Sequence, residues 1–388
     1  MKIKVMQVIG QLRIGGAENV AMNLYRYIDR NIFEFHYLVY NYKIGDYERE
    51  VFELGGKVIH INYSYWHLNR YKRDLLNTFK DNGPYDIIHV HTMFHNGVIL
   101  QIANQAKIPL KISHAHTTRD GWQDTVGIKT IIKKLYINYM RKLICNNSDL
   151  LVACSQDAGI FLYGKLNYKE RGMLLKNGIH IAKYIFNQNI RNTMRKNNNI
   201  SDKRVYGCIG HFDEVKNHVF LIDVFEKISQ IDKNAVLILL GDGILKPAIQ
   251  RICAEKQLSA KVFFFGNVQN VHEWLQAMDF LLMPSLYEGF PLVLVEAQVS
   301  GLKCFVSDTI SREVNITGKV RFLPLFINEW TFIINEEVEY DRSDINIEQL
   351  LSSEYNVFTS VRKMEEIYLE LLHRKGMFLG DNVYKEKS

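Results

Sequence analysis

The chain has 388 residues, of which 47% are hydrophobic and 23% are charged, and its formal net charge is +6 at pH 7. This length suffices for two ordinary domains, and the composition is that of a soluble globular protein, which excludes a disordered chain. No apolar stretch is long enough to span a bilayer, and lysines interrupt residues 1–10, which excludes a signal peptide there. The five cysteines lack a CxxC pair, which argues against zinc or disulfides and indicates a reducing cytoplasm.

The first half of the chain, residues 1–182, alternates between strand and helix patterns. Apolar runs at residues 5–9, 35–40, 87–90, 110–113 and 150–153 predict strands, and residues 17–28 have helical periodicity. Such alternation favours a parallel sheet with helices on both faces. After the first strand comes Gly15-Gly16-Ala17-Glu18, where glycines allow close backbone approach and helix amides are free. Alone, this loop fits a tight turn as well as a ligand site.

Five histidines cluster at the ends of two predicted strands in this half. One interpretation is a metal site, but no carboxylate or cysteine accompanies them at a familiar spacing. The alternative is a set of ordinary strand-end histidines, and we predict no metal. The histidines are His89, His91, His95, His114 and His116.

The positive charge is concentrated between Lys107 and Lys176, where 12 basic residues face 5 acidic ones. Within it, residues 129–142 (KTIIKKLYINYMRK) mix basic and apolar residues at helical spacing. This composition fits a helix lying on an anionic membrane surface. It fits equally a solvated helix that packs one side on the core. Nucleic acid is not expected, since no recognised nucleic-acid module accompanies the patch.

The second half begins after a polar, Asn-rich stretch, residues 183–203, which we predict to be a linker. Apolar runs at residues 205–209, 235–240, 262–265, 280–283 and 303–306 predict the strands of a second domain, residues 204–355. Residues 350–372 have the pattern of a final helix.

Two glutamates frame a predicted helix start in residues 284–308. Glu288 and Glu296 are separated by seven residues, Pro291 suits the first helical position, and Gly301 suits the helix end. The free amides of such a helix start can bind a phosphate. A carboxylate instead accepts hydrogen bonds from sugar hydroxyls. The predicted ligand is therefore a nucleotide-sugar, with its phosphates at the amides of Gly289, Phe290, Leu292 and Val293.

This stretch resembles the Glu–seven residues–Glu signature of family 4 retaining glycosyltransferases. The phrases around GGAE, KNG, KNH and AMD extend the likeness from Val5 to about Phe322, and it is closest to bacterial exopolysaccharide and capsular polysaccharide enzymes. The resemblance implies the GT-B fold, an α/β architecture of two Rossmann-like doubly wound domains facing a central cleft. It also implies that the last helix, within residues 356–388, crosses back to the first domain.

The resemblance further implies transfer of a sugar from a nucleotide-sugar, with UDP the commonest carrier, to a glycan acceptor. The suggested acceptor is a polyprenyl-diphosphate-linked glycan of exopolysaccharide or capsule synthesis. No cofactor or metal is implied, because no Asp-x-Asp occurs in the chain. The expected place of action is the cytoplasm, including the inner face of the plasma membrane as a peripheral protein.

Site residues follow from the same resemblance. Glu296 is expected to bind the nucleotide ribose, Glu288 the donor sugar and Lys216 the departing diphosphate. His116, or as second choice His114, is expected to meet the donor sugar or the acceptor. The further donor-binding positions are Gly16, His211, Asn217, Gly241 and Val268, the last beside the base.

One position departs from the family pattern, because His211 stands where the family has arginine. A histidine is only partly cationic near neutral pH. This keeps open a catalytically silent nucleotide-sugar-binding subunit that supports a partner transferase. A UDP-sugar 2-epimerase shares the scaffold, although the glutamate pair together with GGAE argues against it.

Overall fold

A computed structural model describes residues 2–40, 43–62, 68–118, 128–337 and 340–377. The chain forms two compact units. The first comprises Met1–Gly178 together with Val357–Ser388, and the second is Ile179–Asn356. Each is an α/β unit with one fully parallel sheet. The GT-B architecture of two Rossmann-like domains is thereby confirmed.

The first unit is built on a seven-stranded sheet in the order β3-β2-β1-β4-β5-β6-β7. Its strands are β1 Ile3–Ile9, β2 Phe33–Tyr40, β3 Lys57–Ile61, β4 Ile87–Val90, β5 Leu110–Ala115, β6 Leu150–Ala153 and β7 Gly172–Leu174. Its helices are α1 Gly16–Tyr27, α2 Glu48–Glu53, α3 Leu68–Asn82, α4 Asn96–Gln105, α5 Ile128–Asn147, α6 Gln156–Tyr163, α7 Lys165–Arg171 and, from the end of the chain, α16 Val357–Arg374. A short 3-10 helix, Met93–His95, follows β4.

The final helix α16 is an integral part of the first core. Val357, Met364, Tyr368 and Leu372 are all buried in the same cluster as the strands β1 and β2. The ring of Tyr368 lies 5.9 Å from that of Phe33. The predicted return of the last helix to the first domain is confirmed over residues 357–374; residues 378–388 lie outside the described part of the chain.

The second unit is built on a six-stranded sheet in the order β10-β9-β8-β11-β12-β13. Its strands are β8 Arg204–Ile209, β9 Ala235–Leu240, β10 Val262–Gly266, β11 Phe280–Met283, β12 Lys303–Ser307 and β13 Val320–Leu323. Its helices are α8 Ile181–Tyr184, α9 Gln188–Asn197, α10 His218–Ile231, α11 Lys246–Glu255, α12 Val271–Ala277, α13 Leu292–Val299, α14 Ile327–Asn335 and α15 Ile347–Ser352, with a 3-10 turn at Arg312–Val314. Strand β9 is buried along its whole length, as a central parallel strand covered on both faces must be.

The strand orders place a topological switch point in each sheet. The order reverses between β1 and β4 in the first sheet and between β8 and β11 in the second. Ligands of open parallel sheets bind beyond the carboxyl ends of the strands at such points. The loops that follow these four strands are therefore where the functional residues are expected.

The domain boundary differs from the predicted one. It lies at Gly178/Ile179, four residues before the predicted end at residue 182, and residues 183–203 are part of the second unit rather than a linker. In that segment Arg191 and Arg195 on α9 both pair with Asp279, which stands just before β11. The polar composition of the segment reflects the exposed side of a short docked helix.

The predicted strands are all present, and three further strands join them. These are β3 and β7, at the two edges of the first sheet, and β13, at one edge of the second. Edge strands are short and only half covered, so their apolar signal is weak. Among the described residues, no helix combines the length and apolar character needed to cross a membrane.

Candidate functional site

The loops after β8 and β11 bring together the two principal predicted catalytic residues of the second unit. Lys216 Nζ forms an ion pair with Glu288 Oε1. The two side chains are only 17% and 14% exposed. Neighbouring strands at the switch point explain why residues 72 positions apart in sequence meet here. The pair places a cation and a carboxylate in one partly desolvated position.

Backbone contacts hold these two loops in register. The amide of Leu286 donates to the carbonyl of Val215 at 2.8 Å. Asn217 then adopts φ +53° as the residue before α10. Asparagine is one of the few side-chain residues that tolerate this left-handed conformation. The Lys216-Asn217 dipeptide therefore ends the loop sharply and starts the helix with Lys216 aimed at Glu288.

Helix α13 begins one residue later than predicted. It runs from Leu292 to Val299, and Pro291 is its N-cap with an extended backbone rather than its first helical residue. Leu292 and Val293 are thus the first helical residues, and in an α-helix these amides have no acceptor within the helix. Gly301 ends the helix at φ +72°, where a Cβ atom would lie 2.0 Å from the carbonyl oxygen of Arg342. The predicted helix end is confirmed.

Glu296 lies on the first turns of α13 and has a partner that the sequence did not indicate. Tyr184, at the end of α8, donates its hydroxyl hydrogen to Glu296 Oε1 at 2.8 Å. Burial raises the pKa of Glu296 to about 7, and the hydrogen bond from Tyr184 opposes that rise. The protonation state of this carboxyl group therefore changes near neutral pH. Tyr184 also orients the carboxyl group, and no sequence spacing links residues 112 positions apart.

A group of close glycine contacts forms the adjoining part of the same sheet edge. Gly241, at φ +137°, lies so near Gly210 that a Cβ atom would stand 2.0 Å from the Gly210 carbonyl oxygen. Its amide donates to the carbonyl of Gly266 at 2.8 Å. These contacts join the ends of β8, β9 and β10, where Val268 follows as a half-buried residue. The glycines are required here by packing, whatever their part in ligand binding.

Two other predicted positions have contrasting surroundings. His211 is exposed at the end of β8, so it is accessible to a ligand. Phe290 is buried, and its ring stacks on that of Tyr355 with the centroids 5.8 Å apart. Phe290 therefore anchors the loop through its side chain and leaves only its backbone for ligand contact. Gly289, between Glu288 and Phe290, is half-buried.

In the first unit, the loop after β1 ends at the start of α1. The helix begins at Gly16, with Gly15 as its N-cap. Among the described residues, no atom lies within 4 Å of the place where a Cβ atom of Gly16 would stand. The space beside Gly16 is therefore open, whereas a Cβ atom at Gly15 would lie 2.4 Å from Glu18 Oε2, so the Glu18 carboxylate lies against the start of α1.

The histidines in and just after β4 and β5 form two hydrogen-bonded pairs. His91 Nδ1 lies 2.7 Å from His116 Nε2, and His89 Nε2 lies 3.2 Å from His114 Nδ1. The second ring nitrogen of His91 and that of His89 also have partners. His91 Nε2 contacts Gln7 Oε1 at 2.7 Å, and His89 Nδ1 contacts the Tyr368 hydroxyl at 2.7 Å. His95 stands apart and pairs with Tyr71 at 3.0 Å. Gln7 and Tyr368 were not anticipated, since they come from β1 and α16.

Burial keeps these imidazoles neutral. It lowers the pKa of His89 and of His116 to about 3, and it lowers the pKa of His91 and His114 well below the usual value. His114 is fully buried, whereas His116 is half-buried. His116 is thus the more exposed of the two predicted active-site histidines and carries no charge at neutral pH, although its Nε2 faces His91 and its Nδ1 is buried.

Three of the histidines are close enough to be considered as metal ligands. One ring nitrogen from each of His89, His91 and His114 lies within 4.8 Å of the others. Both ring nitrogens of His89 and of His91, however, already have hydrogen-bond partners. A metal would have to displace those partners.

Both halves of the chain match models of glycosyltransferase families. Residues 14–183 match the profile described as Glycosyltransferase Family 4, and residues 189–323 match that described as Glycosyl transferases group 1. The chain is 35% identical over 315 residues to EpsF of Bacillus subtilis, which is named as a glycosyltransferase, covering 80% of this chain and 81% of that protein. It is 22% identical to the UDP-Gal:alpha-D-GlcNAc-diphosphoundecaprenol alpha-1,3-galactosyltransferase of Escherichia coli, covering 75% of this chain and 77% of that one.

The fold is similar to that of Anabaena Alr3699/HepE, whose crystal structure was determined in complex with UDP and glucose. The TM-score is 0.76 at 18% sequence identity, and the match covers 95% of this chain and 100% of HepE. At this identity the likeness concerns the fold alone.

Proposed function

Because this chain belongs to the group 1 glycosyltransferases, with a family 4 domain in its first half, we propose that it transfers a sugar from a UDP-sugar with retention of anomeric configuration. The acceptor is a glycan linked to polyprenyl diphosphate, and the product serves exopolysaccharide or capsule synthesis. The E. coli relative, whose name specifies UDP-Gal and a diphosphoundecaprenol-linked acceptor, supports this choice. HepE, crystallised with UDP, supports the nucleotide.

The observation that carries the proposal is the pairing of Lys216 with Glu288 beside the start of α13. A diphosphate placed at the amides of Leu292 and Val293 competes with Glu288 for Lys216. When Lys216 turns to the diphosphate, Glu288 is released to accept hydrogen bonds from the donor-sugar hydroxyls. Donor binding thus exchanges one ion pair for two ligand contacts, and neither charge is left unpaired.

The remaining donor contacts follow from the positions around this pair. Glu296 accepts hydrogen bonds from the ribose, and the backbone near Val268 contacts the base. His211 donates a hydrogen bond toward the diphosphate in place of the family arginine. Gly16 lies in the first unit, and its part in donor binding stays a prediction. The glycine contacts at Gly241 shape the surface beside the nucleotide.

The chemical step proceeds by attack on the face that the leaving group occupies. The bond from the anomeric carbon to the diphosphate oxygen breaks, the acceptor oxygen bonds to the same carbon, and the acceptor proton passes to a β-phosphate oxygen. Negative charge grows on the departing diphosphate, and Lys216 with the helix amides stabilises it. His116 orients the reacting hydroxyl as a neutral hydrogen-bond partner. This scheme assigns no step to a metal ion or cofactor.

Transfer assays test the proposal directly. Purified protein is incubated with a panel of UDP-sugars and a polyprenyl-diphosphate-linked glycan, and the anomeric configuration of the product is read by NMR. We expect a retained product for a single donor, undiminished by a chelator, and its loss in Glu288→Ala. Transfer that is lost on adding a chelator would overturn the metal-independent step. A product with inverted anomeric configuration would overturn the retaining mechanism.

Two results would replace the proposal with the alternatives. Donor binding without transfer or hydrolysis, together with activity restored by a partner transferase, would identify a silent binding subunit. Conversion of a UDP-sugar to its 2-epimer without acceptor would identify an epimerase. The proposed site of action is the inner face of the plasma membrane, where lipid-linked acceptors are displayed.

A further inference from the structure

Helix α5 carries an apolar stripe that the transfer chemistry does not use. Ile131, Ile132, Leu135 and Tyr139 are 60%, 60%, 65% and 57% exposed. Their spacings of three and four residues place them on one face of the helix. Single exposed apolar residues are ordinary, whereas a contiguous exposed stripe indicates an interaction surface.

The C-terminal half of α5 packs against the first unit, which leaves the N-terminal half with its apolar stripe exposed. Met140 and Ile144 are buried, and α5 approaches α4 at Gly97. A Cβ atom at Gly97 would lie 2.9 Å from Leu143 Cβ and 3.0 Å from the carbonyl oxygen of Met140. The first turns, by contrast, are exposed at residues 131, 132, 134–136, 138 and 139. The helix is therefore anchored at its C-terminal end and presents its N-terminal half outward.

Charge indicates which surface the stripe meets. The helix contains five basic residues and no acidic residue, and both Lys134 and Lys142 are exposed. A second copy of this chain would bring two basic helices together, and like charges oppose that contact. Nucleic acid would leave the four apolar side chains without a partner. An anionic bilayer satisfies both features, because its phosphates attract lysines and its acyl boundary accepts apolar side chains.

We propose that α5 docks the first unit on an anionic phospholipid bilayer. The side chains of Ile131, Ile132, Leu135 and Tyr139 enter the boundary between headgroups and acyl chains, and the flanking lysines lie at the level of the phosphates. The inference rests on the proposed function, since a lipid-linked acceptor is presented at such a surface. Docking confines the enzyme to the plane in which its acceptor diffuses.

Vesicle binding of the full chain tests the proposal. Co-sedimentation is measured with phosphatidylcholine vesicles and with mixed phosphatidylcholine–phosphatidylglycerol vesicles. We expect binding to the anionic vesicles that weakens with salt. Lys134→Gln/Lys142→Gln should lower the partition coefficient by roughly twenty-five-fold, since each lysine near the surface contributes about five-fold. Ile131→Ser/Leu135→Ser should lower it by at least about ten-fold.

The matched control is Ile231→Ser/Phe332→Ser in the second unit, where the two residues are 66% and 63% exposed. This variant should bind vesicles as the wild type does. A Leu135→Trp variant should be quenched by brominated lipid, which a purely electrostatic contact would not cause. Equal vesicle binding by the wild type and by Ile131→Ser/Leu135→Ser would overturn the proposal. So would a wild-type dimer in sedimentation velocity that Ile131→Ser/Leu135→Ser dissociates.

Failure here is distinguishable from failure of the proposed function. The melting-temperature shift caused by a UDP-sugar reports donor binding in the second unit. If that shift is intact in every variant while vesicle binding is absent from the wild type, the docking surface is refuted and the transferase proposal stands. If vesicle binding follows the expected pattern but no UDP-sugar shifts the melting temperature, the transferase proposal is refuted and the docking surface stands.

Discussion

At the scale of single residues, the ion pair between Lys216 and Glu288 is the sharpest test of the site. Lys216→Gln removes the cation that we propose stabilises the departing diphosphate, so kcat should fall by roughly 10²- to 10³-fold. Lys256 is a suitable control, because it forms ion pairs with Asp223 and Glu226 on α10, none of which is a predicted site residue. Steady-state kinetics of Lys256→Gln should match the wild type. An equal loss of kcat in both variants would show that charge removal acts through stability alone.

Glu296 predicts a pH dependence of donor affinity. Its pKa of about 7 is raised by burial, and the ionised carboxylate is the better acceptor for the hydrogen bonds that we propose it receives from the ribose hydroxyls. Affinity for UDP should therefore be highest above pH 7 and fall as pH is lowered through about 7. Removing the Tyr184 hydroxyl takes away a hydrogen bond that favours the ionised form, so in Tyr184→Phe the midpoint should move to higher pH.

Calorimetric titration with UDP at several pH values measures both effects. Glu296→Gln should bind weakly and without this dependence. A midpoint that is unchanged in Tyr184→Phe would contradict the assigned role of Tyr184.

The two glutamates could be predicted from sequence because their seven-residue separation spans one local turn and helix. Tyr184 could not, because only the folded chain brings α8 onto α13.

At the scale of structural elements, the glycine contacts at the ends of β8 and β9 predict an unusually large effect of a small substitution. Gly241→Ala combines φ +137° with a Cβ atom 2.0 Å from the Gly210 carbonyl oxygen. Such strain and overlap should lower the free energy of unfolding by about 3 kcal/mol or more. The loop after β8 would shift with Gly210, so donor binding should weaken as well.

Gly318→Ala separates the two causes. Gly318 has φ +76°, but no described atom lies within 4 Å of a Cβ atom placed there. Gly318→Ala should therefore lower the free energy of unfolding by only about 1 kcal/mol, the cost of a left-handed backbone for alanine. Thermal unfolding of the two variants compares them. Equal destabilisation would mean that the overlap with Gly210 is relieved by a shift of the loop.

Elements with a strong apolar signal were predictable, and those whose stability comes from neighbours were not. Central strands such as β9 and β11 are covered on both faces and form uninterrupted apolar runs. The edge strand β3 has one buried residue among five. Pro291 shows a finer limit: proline favours the first helical position, yet here it has the extended backbone of the N-cap, a shift of one residue that sequence preferences do not resolve.

At the scale of the whole molecule, the first unit is discontinuous in sequence, and this has a consequence for folding. Residues 1–178 alone lack the buried side chains of α16, among them Met364, Tyr368 and Leu372. We expect that fragment to be soluble only poorly and to show no cooperative unfolding. Joining residue 178 to residues 357–377 through a short glycine linker should restore a cooperative transition.

Circular dichroism melting of the two fragments provides the measurement. A linker of a few residues is enough, because a Cβ atom on Gly178 would lie 2.6 Å from the Cα atom of Val357. Independent folding of residues 1–178 would refute the assigned role of α16.

The sequence predicted two domains from their strand patterns, but it placed the boundary by polarity. Polarity marks exposed surface, and α9 is a docked helix with an exposed side.

The chain enters the second unit at Ile179 and leaves it at Asn356, and these two residues form a parallel β-bridge. The amide of Ile179 also donates to the carbonyl of Tyr355 at 2.8 Å. The second unit is therefore continuous in sequence, and its two ends meet at a single place. Exchanging this unit between relatives therefore requires cuts at one place only, and such an exchange would show whether the proposed donor preference belongs to the second unit.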